Sequence, residues 1–195
     1  MSKVDRRITK SQEAIKKAVI ELMSEKSFDD ITIQDIADRA NVNRGTIYLH
    51  YLDKFDLLDK IIDEHINELR VMCESAVEMD LDFVDSNVEW FEYFESNYSF
   101  FSTLLASSKA SYFRSRFLEL LIEEIKNDID TTKVINRELN EEVLLQFIVT
   151  SFVGIVEWWI TKGMPCPPRV IAVQLGILLD GIFNNNLSTF PKEIK

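Results

Sequence analysis

The side chains with the clearest chemistry lie close together: Arg44, Thr46, Tyr48 and His50, with Lys54 just beyond. They are hydrogen-bond donors and aromatics rather than acids, a set suited to phosphate oxygens and base edges. Nothing comparable points to bond-breaking chemistry. The chain has two histidines, His50 and His65, and neither belongs to a nucleophile–base–acid set. His65 has only Glu68 as a polar neighbour one turn away on its own face, too little for a metal site, so a solvated helix face is expected for it. Cys73 and Cys166 match no metal-ligand spacing, and the sequence contains neither a P-loop nor a Gly-rich phosphate cradle. The expectation is a protein that binds rather than catalyses, with no metal and no cofactor.

Helices must position these donors. Five Gly and four Pro in 195 residues leave few breakers, and the apolar period is helical nearly throughout. The sequence predicts an all-α protein of about nine helices. Helix 1 is expected from Thr9, whose spacing to Gln12 fits a capping box, along Ile15, Ala18, Val19 and Leu22. After the connector Phe28-Asp29-Asp30-Ile31, Thr32-x-x-Asp35 caps a short helix carrying Ile33, Ile36, Ala37 and Ala40. Asn41-Val42-Asn43 reads as a tight turn, with Asn43 as N-cap of a third helix over 44–51. Small Ala37 and Ala40 allow a close crossing, Val42 and Ile47 fill its angle, and the outer face keeps the donors. Two short helices joined in this way have the layout of a helix-turn-helix, whose second helix enters the DNA major groove by its N-terminal end. A long helix over 54–79 follows, then helices near 82–97, 100–106, 111–127, 141–162 and 169–184, with 128–140 a polar loop.

The extended pattern Thr32-Ile33-x-Asp35-Ile36-Ala37-x-x-Ala40-x-Val42-x-x-Gly45-Thr46-Ile47-Tyr48-x-His50-Tyr51-x-x-Lys54-x-x-Leu57 resembles the DNA-binding signature of the TetR/AcrR family of transcriptional regulators. The resemblance covers about Ile15 to Leu58. It implies a three-helix DNA-binding domain in residues 1–53 and an effector-binding and dimerisation domain in residues 54–195, with helix 4 as the connector. Thr32, Thr46, Tyr48, His50 and Lys54 match positions that hold phosphates, which set register without reading sequence. Thr32 and Lys54 also start helices, where free backbone N–H groups favour a phosphate. Gln34, Asn43 and Arg44, beside the motif's Gly45, sit where the family reads bases. Arg44 is the foremost of these, because its fork matches O6 and N7 of a guanine. For Gln34 and Asn43 a purely structural use, solvation and capping, is equally open. Lys3, Arg6 and Arg7 form a basic arm ahead of helix 1, either touching DNA or simply solvated.

Charge divides the chain. The first 60 residues hold 11 basic and 11 acidic side chains and the rest 11 and 22, so the whole net charge of −11 lies beyond Lys60. A surface that grips nucleic acid or anionic lipid all round is excluded, and Asp29, Asp30, Asp35 and Asp38 must face away from DNA. The acidic part also holds 11 of the 21 aromatics between Phe83 and Phe117. At 100° per residue Phe83, Asn87, Trp90, Phe91, Phe94 and Tyr98 share one face, with Asp85, Glu89 and Glu92 opposite. That stripe is either core or the wall of a pocket. The resemblance implies an effector cavity among helices 4 to 8, with Trp90, Phe94, Phe113, Phe117, Phe147 and Trp158 as candidate lining residues. The segment 143–160 is apolar nearly all round, with Gln146, Thr150 and Glu157 confined to one narrow strip. It is long enough to span a membrane, but Gln146 and Glu157 make a core or interface helix the better reading. Leu144, Ile148, Ser151, Phe152, Ile155 and Trp159 form a continuous stripe on it, and Ala172 and Gly176 on the last helix permit close approach. The resemblance implies a two-fold dimer made by these two helices along those residues.

The function expected is a ligand-responsive, sequence-specific DNA-binding regulator. As most often in this family, it is expected to be a cytoplasmic repressor that binds a palindromic operator as a homodimer and is released by a small molecule. The alternative is a regulator or co-activator of the same fold controlled by a protein partner, docked on the acidic C-terminal surface.

Overall fold

The computed structural model describes residues 3–79, 83–128 and 140–183, which form nine α-helices and no strand. In chain order they are α1 (Lys3–Glu25), α2 (Ile33–Ala40), α3 (Arg44–Tyr48), α4 (Lys54–Glu78), α5 (Phe83–Ser96), α6 (Tyr98–Leu105), α7 (Ala110–Asp128), α8 (Glu141–Thr161) and α9 (Pro168–Phe183), with a 3-10 turn at Phe28–Asp30. Two compact units emerge. The first takes residues up to Glu68 together with Asn97–Arg116, and the second takes Leu69–Ser96 and the chain from Phe117 onward. These units do not divide at residue 53. The reason lies in α1, whose buried face of Ile15, Ala18, Val19 and Leu22 is packed against α6 as well as α2.

Two helix bounds differ from expectation. α1 already runs through Thr9, so Thr9 caps nothing and the backbone of the basic residues 3, 6 and 7 is helical. No Gly or Pro precedes Thr9 to interrupt the helix. α3 ends at Tyr48 rather than near Tyr51, because Asp53 opens the next helix: its Oδ1 accepts from the backbone N–H of Phe55 and of Asp56, both at 2.8 Å. The expected polar loop lies outside the described residues, apart from Asp128 at the end of α7 and Asn140, which caps α8.

Within the second unit, six rings from α5, α7 and α8 fill the interior. Trp90, Phe91, Phe94, Phe117, Phe152 and Trp159 pack with ring centroids 5.2 to 6.4 Å apart. Burying each ring is worth about 2–3 kcal/mol. The Trp159 indole N–H would be costly if unpaired, and it donates to the Cys166 carbonyl at 2.8 Å. Asn87 is buried beside them while Asp85, Glu89 and Glu92 are exposed, as the α5 pattern predicts. Tyr98 leaves that stripe: α5 stops at Ser96, and Tyr98 begins α6 with its ring exposed. The side chain of Phe83 lies outside the described residues.

Candidate nucleic-acid interface

The geometry of α2 and α3 is set by their caps. Thr32 Oγ1 accepts from the Asp35 amide at 3.1 Å and Asp35 Oδ2 accepts from the Thr32 amide at 2.8 Å, a reciprocal capping box. Lys26 also donates to Asp35 at 2.9 Å, and this bond, with those from Thr32, holds the Asp35 carboxyl well below the usual range. Arg39 on α2 makes a two-pronged pair with Glu25 on α1, at 2.9 and 2.7 Å. α2 ends on Asn41 in the left-handed region (φ 52°), a conformation Asn tolerates, and the Val42 amide then bonds back to the Ala37 carbonyl at 3.0 Å. Asn43 Oδ1 accepts from the Gly45 amide at 2.8 Å to start α3. A Cβ on Gly45 would lie 3.3 Å from that same Oδ1, so glycine leaves the cap undisturbed.

This frame buries Ile36, Ala37 and Ile47 and turns Arg44, Gly45 and Tyr48 outward. Arg44 Nη2 donates to the Tyr48 hydroxyl at 2.9 Å, and the guanidinium carbon sits 5.4 Å from the Tyr48 ring centre. Thr46 and His50 are half-buried at the edge of the same surface. Gln34 is exposed and donates to Asp38 at 2.8 Å, while Asn43 is exposed and caps α3. The Thr32 hydroxyl donates to Asp35 at 2.8 Å. Lys54 is placed differently from the other expected phosphate ligands. Its ammonium donates to the backbone carbonyls of Phe28, Asp29 and Ile31 at 3.0, 2.7 and 2.8 Å, using its three donors inside the unit. There it lies over the Phe28 and Phe55 rings.

Sequence reasoning missed two features here. Lys60 donates to the His50 carbonyl at 3.0 Å and to Asp56 at 2.9 Å, which pins the turn after α3. The i,i+4 spacing of Asp56 and Lys60 was the available signal. Leu52 is 83% exposed at the same tip, beside the exposed Leu49. His65 is not on a solvated face. It stacks on Phe100 with centroids 4.2 Å apart, and burial pushes its pKa below 6.5. Its neighbours Ile61 and Leu69 already made that face apolar.

The residues expected in an effector site or dimer seam fall in three places. Trp90, Phe94 and Phe117 are buried in the ring cluster of the second unit, whereas Phe113 belongs to the first unit, 5.5 Å from Phe101. Phe147 and Trp158 are 55% and 47% exposed on α8. Of the dimer set, Leu144, Ile148, Phe152, Trp159, Ala172 and Gly176 are buried within the chain, and Ser151 and Ile155 are half-buried. The stripe expected to meet a second copy is thus core of the second unit. Among the described residues, the large apolar side chains that α8 and α9 leave in solvent are Val143, Phe147, Trp158, Val170, Val173, Ile177 and Leu178. On α8 they flank Gln146, Thr150 and Glu157, so the polar strip marks the outward face. Gly154 lies on it, with open space where a Cβ would stand. α8 is long and apolar enough to cross a membrane by composition, yet nine of its residues are buried in the second unit, as in a core helix.

Two family models match the sequence. One, described as bacterial regulatory proteins of the tetR family, covers residues 15–61, and the other, a transcriptional regulator C-terminal region, covers residues 85–181. The chain is similar to the uncharacterized HTH-type transcriptional regulator YxbF of Bacillus subtilis (strain 168), 37% identical over 67 residues. That match takes in 34% of this chain and 18% of YxbF, so it spans less than a fifth of that relative. Among solved structures, a TetR transcriptional regulator from Streptococcus agalactiae 2603V superposes with a TM-score of 0.70 at 28% identity, over 90% of this chain and 96% of that one. The transcriptional regulator FadR from Bacillus subtilis, in complex with stearoyl-CoA, gives a TM-score of 0.66 at 18% identity over 87% and 98% of the two chains. At that identity the second likeness concerns the fold alone.

Proposed function

Because the chain belongs to the TetR family of DNA-binding transcriptional regulators, and is not an enzyme, we propose that it acts as a cytoplasmic repressor whose homodimer binds a palindromic operator and is released by a small molecule. The observation that carries the DNA part is the outward α3 surface, where Arg44 and Tyr48 project from a frame locked by the caps at Thr32 and Asn43. Arg44 reads a guanine; Thr46, Tyr48, His50 and the amide end at Thr32 hold phosphates. Two such units on a two-fold dimer meet successive major grooves about 34–36 Å apart. The dimer uses exposed apolar side chains of α8 and α9, among them Val143, Phe147, Trp158, Val173, Ile177 and Leu178, because water-facing aromatic and aliphatic groups of this size mark an association surface. Control by a small molecule draws support from the acyl-CoA-bound FadR fold. An effector that prefers one arrangement of the two DNA-binding units must be weakened by operator to the degree that it weakens operator.

One observation favours control by a protein partner instead. Trp90, Phe94 and Phe117 pack ring on ring, and a ligand entering among them would have to part them. The test is fluorescence anisotropy on DNA from upstream of the protein's own gene, titrated across salt against a scrambled duplex. Tight, salt-dependent and selective binding is expected. Equal, weak binding to that duplex, to the scramble and to duplexes selected from random DNA would sink the operator reading.

A further inference from the structure

Tyr48 matches a position associated with phosphate, yet its hydroxyl is engaged from the side of the base reader. Arg44 Nη2 donates to Tyr48 Oη at 2.9 Å, one helical turn away, with the guanidinium carbon 5.4 Å from the ring centre. Both side chains are exposed, so the contact is made on the surface that the proposed function turns to DNA. A guanidinium on a flexible stem loses rotamer freedom when it docks, and a partner that fixes it beforehand removes part of that loss. Tyr48 is well placed to do so, since α3 is anchored through the fully buried Ile47. The contact takes one hydrogen of Nη2. A guanidinium has five N–H groups, so a two-donor edge remains for O6 and N7 of a guanine.

We infer that Tyr48 is a positioning residue for base readout: it presets the Arg44 fork for guanine, and any bond from its own hydroxyl to a phosphate is secondary. This inference rests on the operator reading above. The two ideas differ in what removal of the hydroxyl changes. A phosphate contact adds the same affinity whatever the base, whereas a preset fork adds affinity only where the guanine N7 and O6 are present.

The test uses the full chain and a duplex selected by it from random DNA, with each guanine of a half-site replaced in turn by 7-deazaguanine, which lacks N7. For the wild-type protein one replacement is expected to weaken binding about tenfold, and R44A should abolish that difference. Y48F should weaken binding to the natural duplex about threefold to tenfold, and the ratio between natural and substituted duplexes should fall toward one. In the R44A background, Y48F should have almost no further effect, a non-additive pair. Melting curves of Y48F and R44A show whether each variant is folded. Equal weakening by Y48F on both duplexes, with the ratio kept and additivity with R44A, would overturn the inference in favour of a phosphate role. No effect of Y48F at all would overturn it too. If the wild type shows no preference at any guanine, the Arg44 assignment fails first and this inference with it; if no duplex is selected, the operator reading itself fails.

Discussion

The two ends of the chain reach definite geometry by opposite means. Around α2 and α3, position is specified by polar contacts: the caps of Thr32 with Asp35 and of Asn43 with Gly45, and the ion pair of Arg39 with Glu25. Few side chains there are large and buried, and at the helix starts the amides of Asp35 and Gly45 find side-chain oxygens of Thr32 and Asn43. Around α5, α8 and α9 the buried side chains are almost all apolar, with Asn140 capping α8 and Cys166 satisfying the Trp159 indole. Rings and aliphatic chains cover one another, and apart from the narrow strip of Gln146, Thr150 and Glu157 the faces of α8 differ only in which apolar residues they carry. Hydrogen bonds are directional and announce themselves by residue type and spacing. Apolar contact is not directional, so a helix apolar all round does not say which side is inside.

Adjacent tryptophans on α8 give the sharpest break of this comparison. Trp159 is fully buried among the rings and its indole N–H is satisfied by Cys166, whereas Trp158 is half in solvent. Trp159→Ala should destabilise the fold by about 3–5 kcal/mol through the cavity it leaves. Trp158→Ala should change the stability of the fold by less than about 0.5 kcal/mol and instead shift the mass seen by light scattering toward the monomer. Equal losses in denaturant melts for both variants would mean that the inside and outside of α8 have been assigned wrongly.

That same helix shows where sequence reasoning ran out. Leu144, Ile148, Phe152 and Trp159 form a continuous apolar stripe, and the family resemblance implies an intermolecular seam along it. The stripe marks the chain's own core, which demands the most continuous covering. The outward face was legible in Gln146, Thr150 and Glu157, three polar residues that a buried face would not tolerate unpaired. In the first unit the caps at Thr32 and Asn43 were legible because their residue types are specific to that job. The helix bounds of α4 to α9 were legible to within two residues from apolar period alone. What α3 would lose at its end was not, since it depends on Asp53 and Lys60 acting from the next helix.

Lys54 tests the polar half of the comparison. By residue type and place it matches a phosphate ligand, but its three N–H groups are spent on the carbonyls of Phe28, Asp29 and Ile31. Lys54→Met should therefore lower the stability of the protein by about 2 kcal/mol and leave the salt dependence of DNA affinity as it was. A phosphate ligand behaves in the reverse way: its loss reduces the salt slope by about one unit with the melt unchanged. Measuring both quantities on one variant separates the roles, and the second pattern would return Lys54 to the DNA surface.

The smallest effect expected comes from His65, where the first unit borrows the apolar device of the second. Its ring lies against Phe100 and Phe101, at 4.2 and 5.1 Å between centroids. Burial lowers its pKa below 6.5, and Lys16, from α1, acts in the same direction; Glu64 and Glu68 on its own helix oppose them without reversing the shift. The unfolded chain thus takes up the proton near pH 6.5 while the folded one still refuses it. Stability from this group is complete above about pH 6.5 and is lost as the pH falls through the lower folded value. Urea midpoints at pH 7.5 and 5.5 should therefore drop more for the wild type than for His65→Leu, which keeps the ring contacts apolar and has no proton to bind. His50 is present in both proteins, so its contribution cancels from the difference. If the two proteins lose stability in parallel, the stacked ring is not what couples the fold to pH, and the contrast between a polar and an apolar half stands without this exception.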